Sequence, residues 1–169
     1  SKLGKIGLDK YLIEHLPQLS KGRRIDVPNK LGKSYLKAMF AEKYYSRIIK
    51  YYKEGIFTKK WGLSKEIQLY WTARSYIKRK KIPEGRRTIY KLERLNSNSK
   101  HLPILYDTFA SRYMLDSEIK KAQFWWNRLL GKFPKHRLAH KSAWRLAWSH
   151  KQNNNIENAL IYLKKGLNT

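Results

Sequence analysis

Three windows of this chain share one register: IQLYWTARSYIKRKKIPEGRRTIYKLERL at 67–95, ILYDTFASRYMLDSEIKKAQFWWNRLLGK at 104–132 and KSAWRLAWSHKQNNNIENALIYLKKGLNT at 141–169. Each begins 37 residues after the one before. The shift carries Ile82 onto Ile119 and Ile156, and Ala73 onto Ala110 and Ala147. It also aligns Gly85, Ala122 and Ala159, a small residue 12 positions after each of those alanines. A repeat of this length means stacked supersecondary units, each unable to bury its apolar face alone. That architecture favours binding over chemistry.

The windows read as helical pairs. Helices are expected near 64–79 and 83–95, with Ser64 as N-cap. A second pair is expected near 102–114 and 117–132, with Asp116 or Ser117 capping and Pro134 stopping it. The third is expected near 137–152 and 155–167, split by Asn153, Asn154 and Asn155. No stretch alternates as a strand between hairpin turns. The fold class expected is therefore all-α, an α-solenoid of stacked helical hairpins with period 37.

Upstream the register fades. Leu8, Leu12 and Leu16 suggest a short amphipathic helix ended by Pro17. Residues 17–33 hold Pro17, Gly22, Pro28 and Gly32 and read as a loop with a basic group, Lys21, Arg23, Arg24, Lys30 and Lys33. From 34 to 54 a long helix is expected, unless a tight turn near Glu42 splits it, and Gly55 and Gly62 bracket the next connection. The domains expected are thus 1–33 (helix and basic loop), 34–63 (long helix or divergent unit, plus connection) and 64–169 (three hairpins).

The net charge is +26, from 38 Lys and Arg against 12 Asp and Glu. Such a surplus implies an anionic partner: nucleic acid, anionic lipid, an acidic protein face or an acidic wall polymer. The competing reading is a generally basic, solvated surface. The absence of cysteine excludes disulfides, cysteine nucleophiles and thiolate metal sites. No apolar run has the length of a membrane span, and residues 1–10 lack an apolar signal region.

The repeated positions resemble the tetratricopeptide repeat, with its large, medium, small and aromatic residues on the first helix and small and aromatic residues on the second. The first unit offers Leu69, Thr72, Ala73, Tyr76, Gly85, Ile89 and Leu92. The second offers Tyr106, Phe109, Ala110, Tyr113, Ala122, Trp126, Leu129 and Pro134, and the third Ala143, Leu146, Ala147, His150, Ala159, Leu163 and Gly166. Thr72, His150 and Gly166 depart from the preferred types, and the period exceeds the usual ~34. Two segments, Tyr70-Trp71-Thr72-Ala73-Arg74 and Ala143-Trp144-Arg145-Leu146-Ala147-Trp148 preceded by Phe133-Pro134, resemble the superhelical domain of soluble lytic murein transglycosylases. The catalytic acid of that family is a glutamate followed by serine, and no Glu-Ser pair occurs here. The resemblance therefore implies a non-catalytic scaffold of a bacterial envelope protein, with peptidoglycan among its ligands. The third unit ends without an obvious polar cap, so further repeats or a lysozyme-like domain beyond Thr169 are expected.

In a tetratricopeptide array the first helix of each pair lines the concave face. The alignment places Ile67, Tyr70, Arg74 and Lys78 there, then Ile104, Asp107, Ser111 and Met114, then Lys141, Trp144, Trp148 and Lys151. Basic side chains beside aromatic faces suit a carboxylate, a phosphate or a sugar ring. For Trp144 and Trp148 the alternative is packing against another helix, and for Tyr70 packing within its hairpin. Lys78, Arg79, Lys80, Lys81, Arg86 and Arg87 form the densest charge, a basic patch for phosphates or an acidic protein, or else a solvated turn. A nucleic-acid-binding repeat protein, cytoplasmic in that case, is the competing function.

No cofactor or metal is implied. His136 and His140 share a helical face but have no acidic neighbour in sequence, and His15, His101 and His150 lack ligand spacing. No glycine-rich phosphate loop occurs. Glu42, Glu54, Glu66 and Asp107 suit surface salt bridges better than acid catalysis.

Overall fold

The computed structural model describes residues 29–59 and 61–167. The amphipathic segment around Leu8 to Leu16 and the loop residues 17–28 lie outside them. The described residues are all-α, with no strand among them. The chain divides into two compact units, ending and beginning at Ser97 and Asn98.

The first unit holds α1 (Asn29–Ala41), α2 (Tyr45–Lys53), α3 (Ile56–Lys59), α4 (Lys65–Lys78) and α5 (Ile82–Leu95). The second holds α6 (Leu102–Leu115), α7 (Ile119–Lys132), α8 (Arg137–Gln152) and α9 (Ile156–Leu167). Neighbours pack in pairs: α4 with α5, α6 with α7, and α8 with α9. Within the first unit α4 also packs on α2 and α1, and within the second α8 packs on α7 and α6. Both units therefore use one scheme, in which the first helix of a hairpin lies over the hairpin before it.

The register extends one unit further upstream than the side chains suggest. Lys43, Lys80, Ser117 and Asn154 are spaced 37 apart and adopt left-handed φ of 62°, 59°, 59° and 56°. After each, the next N–H reaches back five residues: Tyr44 to the Met39 carbonyl, Lys81 to Tyr76, Glu118 to Tyr113 and Asn155 to His150, all at 2.9 Å. These are Schellman turns, which satisfy the last carbonyls of a helix and reverse the chain. The turn at Lys43 splits the 34–54 helix into α1 and α2, the split foreseen near Glu42. They form a fourth helix–turn–helix on the same spacing.

Residues 29–33 are helical rather than loop. The reason is packing at Gly32, where a Cβ would come within 3.2 Å of Trp61 Cβ and 3.3 Å of Leu63 Cδ2. Here glycine is a point of close approach, not a breaker. It seats Trp61 in a cluster with Tyr35, Leu36, Met39, Ile48 and Phe57. Trp61 meets Tyr35 edge-on with centroids 4.7 Å apart, and lies 5.3 Å from Phe57. Such aromatic pairs contribute about 0.5–1.5 kcal/mol beyond the apolar area they bury.

The small residues of the register, Ala73, Gly85, Ala110, Ala122, Ala147 and Ala159, are all buried, as close approach of paired helices requires. Capping differs from expectation. Ser64 occupies the N-cap of α4, but its hydroxyl makes no capping bond. Glu118, not Asp116 or Ser117, precedes α7, because Ser117 is the left-handed turn residue. Asp116 instead pairs with Arg112 one turn back.

Candidate functional site

In the second unit, α8 is fixed to the hairpin beneath it through polar side chains one helical face apart. Arg145 Nη1 donates to Asp107 Oδ1 and, at 3.2 Å, to Ser111 Oγ. The same guanidinium stands 5.4 Å from the centre of the Trp126 ring. Further along, Gln123 Nε2 donates to Ser149 Oγ at 3.0 Å. Asp107 and Ser111, expected in an open groove, are thus joined to Arg145, a residue that the repeat alignment did not single out. The chemical signal was present, since Arg145 is a cation placed 38 residues after an acid, one more than the period.

The opposite face of α8 carries Lys141, Trp144, Trp148 and Lys151, all exposed. The two indoles stack at 5.8 Å with an interplanar angle of 3°. Lys151 Nζ lies 5.4 Å from the Trp148 ring centre. An open groove of about 210 Å³ runs beside them, floored by Ala147 and Ala159 and walled by Leu163 of α9. Four groove residues expected from sequence therefore lie together on one helical stripe, and α9 supplies the wall.

Histidines that resemble a metal pair have structural duties. His136 Nδ1 accepts the Leu138 N–H at the start of α8. His140 Nδ1–H donates to the Gly166 carbonyl at 2.8 Å and ties α8 to α9. Among the described residues no group of three or more metal-ligating side chains comes together. Tyr162 stacks on His150 at 5.3 Å, and its hydroxyl donates to Asn127 Oδ1 at 2.8 Å.

In the first unit, Tyr70 is buried and accepts a 2.9 Å hydrogen bond from Arg74 Nη1 at its hydroxyl. The half-buried Arg74 guanidinium lies 4.4 Å from the Phe40 ring centre, 5.0 Å from Trp71 and 5.3 Å from Tyr70. Cation–π contact thus takes the place of an ion pair at this arginine. Lys78, Arg79, Lys80, Lys81, Arg86 and Arg87 are all exposed around the turn between α4 and α5. Nearby, burial raises the Tyr76 phenol above its ordinary pKa, and the Glu84 carboxylate adds to the shift.

No family model, curated protein or solved structure matches the chain. No helix among the described residues is long and apolar enough to cross a membrane.

Proposed function

We propose that this chain is a non-catalytic, tetratricopeptide-like scaffold that binds an acidic protein segment. The observation that carries the proposal is the exposed, stacked pair Trp144 and Trp148 between Lys141 and Lys151, bordering an apolar groove. Indoles supply large, rigid contact area at low entropic cost, and flanking ammonium groups select carboxylates and steer them in. The net charge of +26 extends that steering over the whole molecule.

The resemblance to the superhelical domain of lytic transglycosylases supports an envelope or periplasmic setting, with peptidoglycan as a competing ligand at the same indoles. The exposed basic turn from Lys78 to Arg87 favours a second reading, a nucleic-acid-binding repeat protein of the cytoplasm. Titrating the full chain with an acidic peptide, soluble murein fragments, single-stranded RNA and duplex DNA, each at several salt concentrations, separates the three. Saturable peptide binding that persists at ~0.3 M salt supports the scaffold reading. Binding confined to nucleic acid, and lost steeply with salt, refutes it.

A further inference from the structure

The 37-residue register allows the two hairpins of the second unit to be compared position by position. On the hairpin α6/α7, the residues that meet α8 are Asp107, Ser111, Gln123 and Trp126. Their counterparts on the hairpin α8/α9 are Trp144, Trp148, Leu160 and Leu163. Trp126 is 2% exposed beneath α8, whereas Leu163 is 43% exposed. Leu130 is 8% exposed, and its counterpart Leu167 is 82% exposed. The surface that a helix covers on one hairpin is open on the next.

The chemistry of the open surface is also changed. Beneath α8 it is mostly polar: the Asp107 carboxylate and the Ser111 hydroxyl meet Arg145, the Gln123 amide meets Ser149, and Trp126 is the apolar member. On α8/α9 the counterparts are two indoles and two leucines, and Ile104 and Met114 are replaced by Lys141 and Lys151. A helix that fits here needs large apolar side chains at the i, i+3 and i+7 positions where α8 has Ser142, Arg145 and Ser149. It also needs carboxylates on the flanks of that stripe. A second copy of this chain fits poorly, because two bodies of net charge +26 repel.

We infer that the Trp144–Trp148–Leu163 face of the last hairpin is the seat of an acidic amphipathic helix from a partner protein, docked in the place that α8 takes on α6/α7. This rests on the proposed binding of acidic segments and specifies the form the segment takes. The repeat itself is the precedent: the same fold positions already receive a helix once within this unit. The groove of about 210 Å³ between the indoles and Leu163 takes one apolar anchor of that helix.

The test uses the full chain and three fluorescently labelled probes. One is a 16-residue peptide matching α8 in length, with leucines at i, i+3 and i+7 and glutamates on both flanks. The second is its scramble, with identical composition but no apolar stripe. The third is oligoglutamate of equal length. The stripe peptide should bind about tenfold or more tightly than the scramble, gain helicity on binding, and lose about tenfold with Trp148→Ala or Leu163→Glu. Both positions are exposed, and circular dichroism confirms that the variants remain folded. Oligoglutamate should be indifferent to these substitutions.

Equal binding of stripe and scramble, unaffected by either substitution, overturns the helix seat while leaving the acidic-segment reading intact. Failure of all three probes removes both. Concentration-dependent dimerisation of the chain, abolished by Trp148→Ala, overturns the partner assignment in favour of a second copy. Release of the stripe peptide by a segment of a longer form of this chain, competing at equal concentration, does so in favour of an internal helix.

Discussion

Replacing Asp107 with alanine tests whether Arg145 holds the two hairpins of the second unit together. The side chains are 18% and 26% exposed, so the pair is shielded but not dry. A shielded charge-assisted hydrogen bond contributes about 1.5–3 kcal/mol, and the access of water reduces this to about 1–2 kcal/mol. Asp107→Ala should therefore cost about 1–2 kcal/mol, Ser111 being left as a neutral acceptor for Arg145. Arg145→Ala should cost more, about 2–3 kcal/mol, because it also removes the guanidinium over Trp126. The double variant should fall short of the sum by about 1 kcal/mol. Urea unfolding followed by circular dichroism gives the cycle, with hydrogen exchange of α8 amides identifying the transition that releases this helix. The coupling should shrink in high salt, as expected for a partly solvated pair. Additivity within about 0.3 kcal/mol would refute the reasoning, since each side chain would then act without the other.

Three further outcomes follow from the fold. Glycine at Lys43, Lys80 or Ser117 should raise stability by about 0.5–1 kcal/mol in urea melts by relieving a left-handed backbone, with a smaller gain at Asn154 because asparagine tolerates that region. Trp126→Ala should cost about 3–5 kcal/mol, whereas Trp144→Ala should stay within about 0.5 kcal/mol, as thermal melts of both variants will show. Burial, then the neighbouring Tyr51, raises the Tyr35 phenol above its ordinary value of 10.0. Below that value the phenol is neutral in both states and its stabilisation is intact. As pH rises further the unfolded chain ionises first, so stability should fall by up to about 1.4 kcal/mol per pH unit. Tyr35→Phe should abolish that component of the fall, read as the difference between the two urea midpoints at pH 8 and pH 11.

Much of this was legible from residue spacing. Helices expected at 64–79 and 83–95 appear as Lys65–Lys78 and Ile82–Leu95, and the small residues of the register are buried. The unit formed by α1 and α2 escaped because its size pattern is exchanged. Gly32 stands where Leu69 does, Leu36 where Ala73 does, and Ile48 where Gly85 does. All remain buried, because volume lost at one position is supplied at another and by Trp61 from the connection. Three of the left-handed turns gave no compositional signal either, being occupied by two lysines and a serine; Asn154, within its asparagine run, was the exception.

In the candidate site, Lys141, Trp144, Trp148 and Lys151 were legible as one stripe because helical spacing alone puts them there. The fate of Asp107 and Ser111 was not. Periodicity assigns a residue to a face of its own helix and says nothing of which neighbour leans over that face. The Arg74 cluster was hidden for a related reason, since Phe40 comes from α1, more than thirty residues earlier in the chain.

The four identical turns divide the chain into places where an added residue breaks a turn and places where it does not. A residue inserted inside a hairpin breaks the two back-reaching bonds of its turn and rotates the second helix off its seat. The segments between hairpins carry no such lock, and they already differ: 54–64 includes the short α3 and Trp61, while 96–101 and 133–136 are bare connections. The spacing from turn to turn stays at 37 throughout, helix lengths making up the difference. Loops, tags or folded inserts grafted into this protein therefore belong at 96–101 or 133–136, where no left-handed turn is broken and Trp61 keeps its place in the core.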